Sequence, residues 1–551
     1  MTMIQTASNN RPRTVASGVI LLSLSGILVK VVGMLFKIPL TNMIGESGMG
    51  YFSSAYMIYS FFYVISTAGL PLAISILVSG ARADNDIALC KRIMRVSLLL
   101  FTAVGGMLCL MMFFGAGLLS GLISNSGAAY SVAAISPTVF FVSVISVYRG
   151  YFQGFQYMFP TALSQMIEAA GKLAFGLAFA RAALSAGADA QTVAAFAVLG
   201  ISAATGLSML SLIILKRLFK DDRSCAGVSR VGSMKLVGKL IKLALPISAS
   251  SAVMSLSGML DLAIVMRRLQ SSGYTEELSN ALYGNYSSLA VPLFNLPSVL
   301  ITPIACSTVP YIAKALASRD GTTVRVSSEK AIKYALLIAL PSSLGLFVFS
   351  EPVLKLIFND SLASSAAMSL SLLSTSVVFV ALSNVTVSIL QACGITVAPV
   401  ITMGIGALVK LVSAWFLIGE FGLNGTPLST LACYVTITAL DLILLDLLSG
   451  IRIKLLKLAS LPLFGALIAV GGAYALYLPF FAKLGSAGCL AAIATAVAVY
   501  FSFMLITGYV SREELSALPV FRRIISITQK RNGKENDTRQ KGGRTRAKGK
   551  V

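Results

Sequence analysis

Apolar runs of twenty residues or more recur from near the N-terminus to about Tyr509, and no other feature restricts the fold as strongly. A run of about 20 apolar residues is long enough to cross the hydrocarbon core of a bilayer as a helix. Inside that core every backbone N–H and C=O needs a protein partner, which leaves helices or closed barrels. The runs here are continuous rather than alternating, so helices are implied. The charged fraction, 12% against about 25% in soluble chains, agrees with this, as does a mean hydropathy of +0.84. The sequence predicts an all-α polytopic membrane protein.

Charged and turn-rich breaks divide the apolar sequence into about fourteen spans, near 17–44, 50–80, 96–122, 130–153, 160–181, 191–215, 240–266, 282–313, 331–358, 364–391, 396–418, 425–449, 455–481 and 485–510. Cytoplasmic loops carry an excess of Lys and Arg, and every extra or missing span would swap the sides of all later loops. With both termini inside, the inner segments hold Arg11 and Arg13; Arg82, Lys91, Arg92 and Arg95; Arg149; the cluster from Lys216 to Lys242; Lys314 to Lys333; and Arg452, Lys454 and Lys457. The outer side receives Arg181, Arg267, Arg268, Lys355 and Lys483. The first run lacks a small-residue cleavage site and reads as a retained span. The expected location is a bacterial plasma membrane, multi-pass, with both termini cytoplasmic.

The longest hydrophilic break, Lys216 to Lys242, separates two related halves. Ser23-Leu24-Ser25-Gly26 recurs as Ser255-Leu256-Ser257-Gly258, and the run from Gly50 to Ser54 recurs as Gly284 to Ser288. Gln153 and Gln391, then Lys172-Leu173 and Lys410-Leu411, follow at offsets between 232 and 238. Six spans per repeat is an even number, so the halves enter from one side and are related by an axis along the membrane normal, with a central cavity between two lobes. The organisation is then a cytoplasmic N-terminus (1–16), an N-terminal six-helix lobe (17–215), a basic cytoplasmic linker (216–239), a C-terminal six-helix lobe (240–449), two additional transmembrane helices (450–510) and a basic cytoplasmic tail (511–551). The tail, with few apolar residues, is expected to lie near anionic lipid. A net charge of +23 placed in loops and a tail does not point to nucleic acid.

Several chemistries lack support. There is no histidine, and the seven cysteines form no C-x-x-C pair, so disulfide frameworks and zinc sites are not indicated. Gly171-Lys172 and Gly238-Lys239 are followed by Leu, so the phosphate-cradling Walker loop is missing. No paired-carboxylate or nucleophile signature appears. A non-enzyme without cofactors or metals is expected, and no catalytic residue is assigned.

The informative residues are ionisable groups at membrane depth. Lysine inside a span costs roughly 2.5 kcal/mol or more and usually faces a cavity or a partner. Lys30 and Lys37 lie a heptad apart in the first span and fall on nearly one helix face. By the repeat offset, Asp261 falls within one residue of the counterpart of Lys30, and Arg268 within one of the counterpart of Lys37. Lys30 with Asp261 is therefore a candidate internal pair, and Lys37 with Arg267 and Arg268 a candidate anion-binding patch. The alternative for Lys37, Arg267 and Arg268 is snorkelling to the outer headgroups. Glu168 and Lys172, spaced i, i+4, suit either a structural pair or a site. Asp441 and Asp446 read as solvated or paired. Tyr51, Tyr56, Tyr59 and Tyr63 suit stacking on a sugar or interfacial packing.

Three runs carry a family resemblance: K-V-V-G-M-L-F-K-I-P-L-T-N-M-I-G-E-S-G-M-G-Y from Lys30, I-S-T-A-G-L-P-L-A-I-S at 65–75, and Y-R-G-Y-F-Q-G-F-Q-Y-M-F-P-T-A-L-S-Q-M-I-E at 148–168. Together they resemble the stage V sporulation protein B and polysaccharide biosynthesis group of the multidrug/oligosaccharidyl-lipid/polysaccharide exporter superfamily, related to MurJ lipid II flippases. The resemblance spans roughly residues 17–510. It implies a fourteen-helix, two-lobed fold and outward movement of undecaprenyl-pyrophosphate-linked cell-wall or polysaccharide precursors, with a lipid-linked oligosaccharide as substrate and cell-wall synthesis proteins as partners. It also implies basic cavity residues on the first, second and eighth spans. Lys30 and Lys37 match the first-span positions with one extra residue between them; the second span has no arginine, and the eighth offers Lys314 at its inner end. A cation-coupled multidrug exporter of the same superfamily and a non-transporting membrane scaffold for envelope assembly are the alternatives.

Overall fold

A computed structural model describes residues 15–67, 69–84, 86–219, 232–318, 320–358, 360–395 and 397–510. The N-terminal segment, half of the basic linker and the basic tail lie outside the described residues. The described residues form no strand; the chain is a succession of helices divided into two compact units, Met1–Ile453 and Lys454–Val551.

The first unit opens with α1 (Val15–Thr67), which is broken at Gly45, where φ is 66° and ψ −171°. That conformation is accessible essentially to glycine alone, so Gly45 is what lets one continuous apolar sequence turn from its first span into its second. After it come α2 (Leu70–Ala83), α3 (Ile87–Phe114), α4 (Ala116–Leu122), α5 (Ala129–Gly154), α6 (Phe159–Ser185) and α7 (Ala190–Leu218). The second repeat begins with the 39-residue α8 (Ser233–Ser271). Next is α9 (Glu276–Asn285), which runs through a π-helical turn at 286–290 and the turn Val291–Phe294 into α10 (Leu296–Ala317). Then follow α11 (Gly321–Val348), α12 (Ser350–Ile357), α13 (Asp360–Ser374), α14 (Val377–Ala392), α15 (Ala398–Phe421) and α16 (Gly425–Ser449).

Local chemistry sets the helix ends. Pro71, Pro160 and Pro399 occupy first-turn positions, where a missing N–H costs nothing. Asp86, Thr275 and Asp320 accept the orphan N–H groups of Leu89, Leu278 and Thr323. Hydroxyl bonds from Thr322 and Thr323 hold the Asp320 carboxylate at about 2, below its ordinary range.

Within the first repeat, α1, α5, α6 and α7 pack into one bundle, with α2 and α3 against α5. Contact between α6 and α7 is close enough at Gly176 and Gly200 that a Cβ on Gly200 would lie 2.5 Å from the Gly176 backbone. Small residues allow such approach, and without a hydrophobic drive between helices in lipid, close van der Waals packing holds the bundle together. In the second repeat α8 packs on α15, α15 on α16, and α14 between α10, α11 and α16. The start of α8 inserts Leu236, Leu240 and Ala244 into the core formed by α2, α3 and α5.

Among the described residues, by length and apolarity, eight helical stretches suffice to cross a membrane, or nine if the pair α13 and α14, bent by 45°, forms one span. Two of these stretches, 31–83 and 398–449, run for 53 and 52 residues. At 1.5 Å per residue each is far longer than a roughly 30 Å core, so each is long enough for more than one crossing. The second unit contains α17 (Leu455–Leu476) and α18 (Gly485–Ile506), pinned by the Tyr509 hydroxyl on the Leu458 carbonyl at 2.7 Å.

Candidate functional site

A cavity of about 520 Å³ lies between the two repeats of the first unit. Its walls come from α1 (Val29, Gly33, Phe36, Lys37, Phe52 and Tyr56), from Ala169 and Lys172 of α6 and Ile201 of α7, and from the chain between Val291 and Val299. Among the described residues the lining contains two lysines and no acidic residue.

The two lysines are in different electrostatic situations. Lys172 donates to Glu168 at 2.8 Å, and Glu168 is held from its other oxygen by Arg149 at 3.1 Å. Arg149 also donates to the Ser164 hydroxyl. Two cations share one carboxylate, so this cluster retains one positive charge. Lys37 donates to the Ser287 carbonyl at 3.4 Å, and no carboxylate among the described residues pairs with it. A lysine on a cavity wall with one long carbonyl contact keeps most of its capacity to bind an anion.

The second repeat neutralises its own buried cation. Lys410 on α15 pairs with Asp261 on α8 at 2.9 Å. Lys172 and Lys410 are repeat counterparts, so each lobe places a lysine at the same position and balances it with a carboxylate from a different helix position.

One end of the bundle is latched between the repeats. Glu276 accepts from both the backbone N–H and the hydroxyl of Ser126 at 2.7 Å. Gln270 donates to the Ser124 carbonyl and Arg267 to that of Leu122. Asn280 accepts from Asn125 and donates to the Ser47 carbonyl, and Ser53 bonds Ser288. At the centre of this face Gly50 meets Gly284, its repeat counterpart: a Cβ on Gly284 would lie 2.6 Å from the Gly50 nitrogen.

Of the residues singled out in the sequence, Lys37 and Lys172 come together on the cavity, with Glu168 behind Lys172. Lys30 lies on α1, but its side chain falls outside the described residues. The carboxylate of Asp261 is taken by Lys410 rather than facing the cavity. Arg267 is used in the latch. Arg268 stacks 4.7 Å from the Trp415 ring and donates to the Trp415 carbonyl. Tyr56, Tyr59 and Tyr63 form a ring ladder that continues from Phe52. Tyr51 is buried toward Gly127. Asp446 pairs with Arg452 at 3.1 Å, whereas Asp441 is fully buried and neither solvated nor ion-paired.

Residues 15–316 match the model of the polysaccharide biosynthesis protein family, more than half of the chain. The chain belongs to the polysaccharide biosynthesis protein family. Residues 246–416 also match the MatE model. Among relatives of this family member, stage V sporulation protein B of Bacillus subtilis (strain 168) is 26% identical over 529 residues, covering 93% of this chain and 99% of the relative. The lipid II flippase MurJ of the same organism is 23% identical over 457 residues, covering 80% and 84%. The fold matches a lipid II flippase MurJ in an inward closed conformation with TM-score 0.69 at 15% identity, over 89% of this chain and 98% of that one. It also matches a multidrug resistance MATE family transporter in an inward-facing conformation with TM-score 0.64 at 16% identity, over 80% and 99%. This member of the polysaccharide biosynthesis protein family thus has a multi-pass membrane fold like that of MurJ and the MATE transporters.

Two residues of these ion pairs were not singled out as site residues in the sequence. Arg149 reads there as one more inner-loop cation, yet it completes the Glu168 cluster. Lys410 stands among the membrane-depth charges without a partner; its repeat equivalence to Lys172 was the available signal.

Proposed function

We propose that the chain is a flippase that moves an undecaprenyl-pyrophosphate-linked cell-wall or polysaccharide intermediate from the inner to the outer leaflet by alternating access, through fourteen crossings with both termini cytoplasmic. The observation that supports this is the charge arrangement of the cavity among the described residues: Lys37 stands without a carboxylate, the Lys172 cluster keeps a net positive charge, and no acidic side chain lines the wall. Such a wall favours phosphate oxygens over cationic solutes.

In this reading the latch at Glu276, Asn280 and the Gly50–Gly284 contact is the closed outer gate, and the cavity receives its substrate from the cytoplasmic side. The pyrophosphate meets Lys37 and draws Lys172 from Glu168, which Arg149 continues to satisfy. Tyr56, on the cavity wall, is positioned to stack on the first sugar. The polyprenyl tail stays in lipid. The lobes then separate at the latch and close at the other end, and binding supplies bias only through different affinities in the two states.

Vesicles reconstituted with the full chain and a fluorescent polyprenyl-pyrophosphate-linked sugar test the proposal. Lys37→Ala should slow translocation at least tenfold, the loss of about 1.5–3 kcal/mol carried by a hydrogen bond to a charged group, while Lys37→Arg retains most of it. Wild-type rates in Lys37→Ala would refute it. The MATE-like alternative, drug export, predicts instead drug accumulation on deletion with no change in lipid-linked intermediates.

A further inference from the structure

Asp441 lies on α16, in the interior of the second repeat and outside the cavity lining, and is 0% exposed. Thr402 of α15 approaches its Oδ1 at 2.6 Å and Thr386 of α14 approaches its Oδ2 at 3.3 Å. No cation among the described residues pairs with it. The titratable groups on the elements packed against α16 are accounted for. Lys410 of α15 is bound to Asp261, and Glu420 is exposed near the end of α15. Asp360 is exposed at the start of α13, and α14 has no ionisable side chain. On α16 itself, Asp446 is paired with Arg452, while Cys433 and Tyr434 lie near Lys410.

An ionised carboxylate buried without a cation carries a large desolvation cost, and two hydroxyl donors offset only part of it. Inside a membrane bundle such a group neutralises itself or marks an ion pathway. The two threonines are arranged for both states. Thr402 Oγ1 also lies 3.2 Å from the Pro399 carbonyl, and Thr386 Oγ1 lies 3.0 Å from that of Leu382 and 3.1 Å from that of Ser383. With Asp441 ionised, both hydroxyls donate to the carboxylate. With Asp441 protonated, they turn to their own helix carbonyls, and a hydroxyl lone pair accepts the Asp441 O–H. Every donor is satisfied either way.

We propose that Asp441 is a proton-binding site coupled to the movement of the two repeats. One O–H bond forms at the carboxylate on uptake from water and breaks on release to water, with no other covalent change. The path to the cavity is short: α14, which carries Thr386, packs on α10, whose first residues line the cavity, and α14 is the second arm of the bent pair with α13. Turning Thr386 and Thr402 between carboxylate and backbone therefore alters the joint between α14, α15 and α16, on which α10 leans. This holds whichever solute the cavity carries.

The test uses the purified full chain in lipid nanodiscs, with no substrate. Infrared spectra between pH 5 and 9 should show a buried carboxylic acid C=O stretch that titrates and is missing in Asp441→Asn. Thr402→Val should shift that band without removing it, which keeps the test decisive if Asp441→Asn does not fold. Ser124→Cys at the latch should label with an impermeant maleimide at a rate that changes with pH in the wild-type background and not with Asp441→Asn. A spectrum in which Asp441→Asn or Thr402→Val alters no carboxylic acid band overturns the proposal. So does latch labelling that ignores pH, or that follows sodium at constant pH.

Discussion

The Lys410–Asp261 pair allows a quantitative check on the division between structural and functional charge. Both groups are largely buried, at 18% and 8% side-chain exposure, and 2.9 Å apart. Removing one partner of such a pair costs about 3–5 kcal/mol, because a buried charge loses its counterion, whereas replacing both with apolar residues is often neutral. If the 453-residue unit melts cooperatively, a per-residue unfolding entropy of about 2.1 cal/mol/K turns that cost into a fall of about 3–5 °C in melting temperature. Asp261→Asn and Lys410→Met should each show this fall in a fluorescence melt in detergent at one scan rate. Asp261→Leu combined with Lys410→Met should return to within about 2 °C of wild type. Asp261 Oδ1 already lacks a partner, so Lys410→Met leaves an almost bare carboxylate, and acidification should restore part of its loss by protonating it. A double variant as unstable as either single change would refute the reasoning: the cost would then lie in packing volume, not in charge.

Other outcomes follow from the same geometry. Gly50→Ala places a Cβ 2.2 Å from the Asn280 carbonyl, so it should force the latch apart and speed maleimide labelling of Ser124→Cys several-fold. Gly45→Ala has open space but a φ of 66°, and should cost about 1–3 kcal/mol through backbone strain alone, read as a lower melting temperature without loss of the latch. Glu168→Gln leaves Arg149 and Lys172 as two unbalanced cations and should both lower the melting temperature and tighten binding of inorganic pyrophosphate, measured by calorimetry.

The helical membrane fold was legible because bilayer burial imposes long apolar runs. Pairing was less so. Offset arithmetic sets Asp261 at the height of Lys30, whose side chain lies outside the described residues; α8 packs on α15, and Asp261 meets Lys410 there. Arg268 is drawn to Trp415 for the same reason. Asn125, Asn280, Gln270 and Glu276 carry the latch, yet each is an ordinary polar residue in sequence, and only the meeting of the two repeats gives them a common role. The solvated or paired reading of Asp441 did not register that its own turn of α16 faces α14 and α15.

The unpaired ammonium of Lys37 also makes a carrier of this design a voltage-sensitive device. Moving one elementary charge across the full field is worth about 2.3 kcal/mol per 100 mV. In a cell that is negative inside, an empty cavity bearing net positive charge is pulled toward the cytoplasmic orientation. Once a polyanionic headgroup outweighs that charge, the sign of the force reverses and the loaded cavity is pushed outward. Under the proposed function the resting potential would thus reset the empty carrier and expel the full one, using the residual charge of the Lys172 cluster and Lys37, which no carboxylate among the described residues pairs.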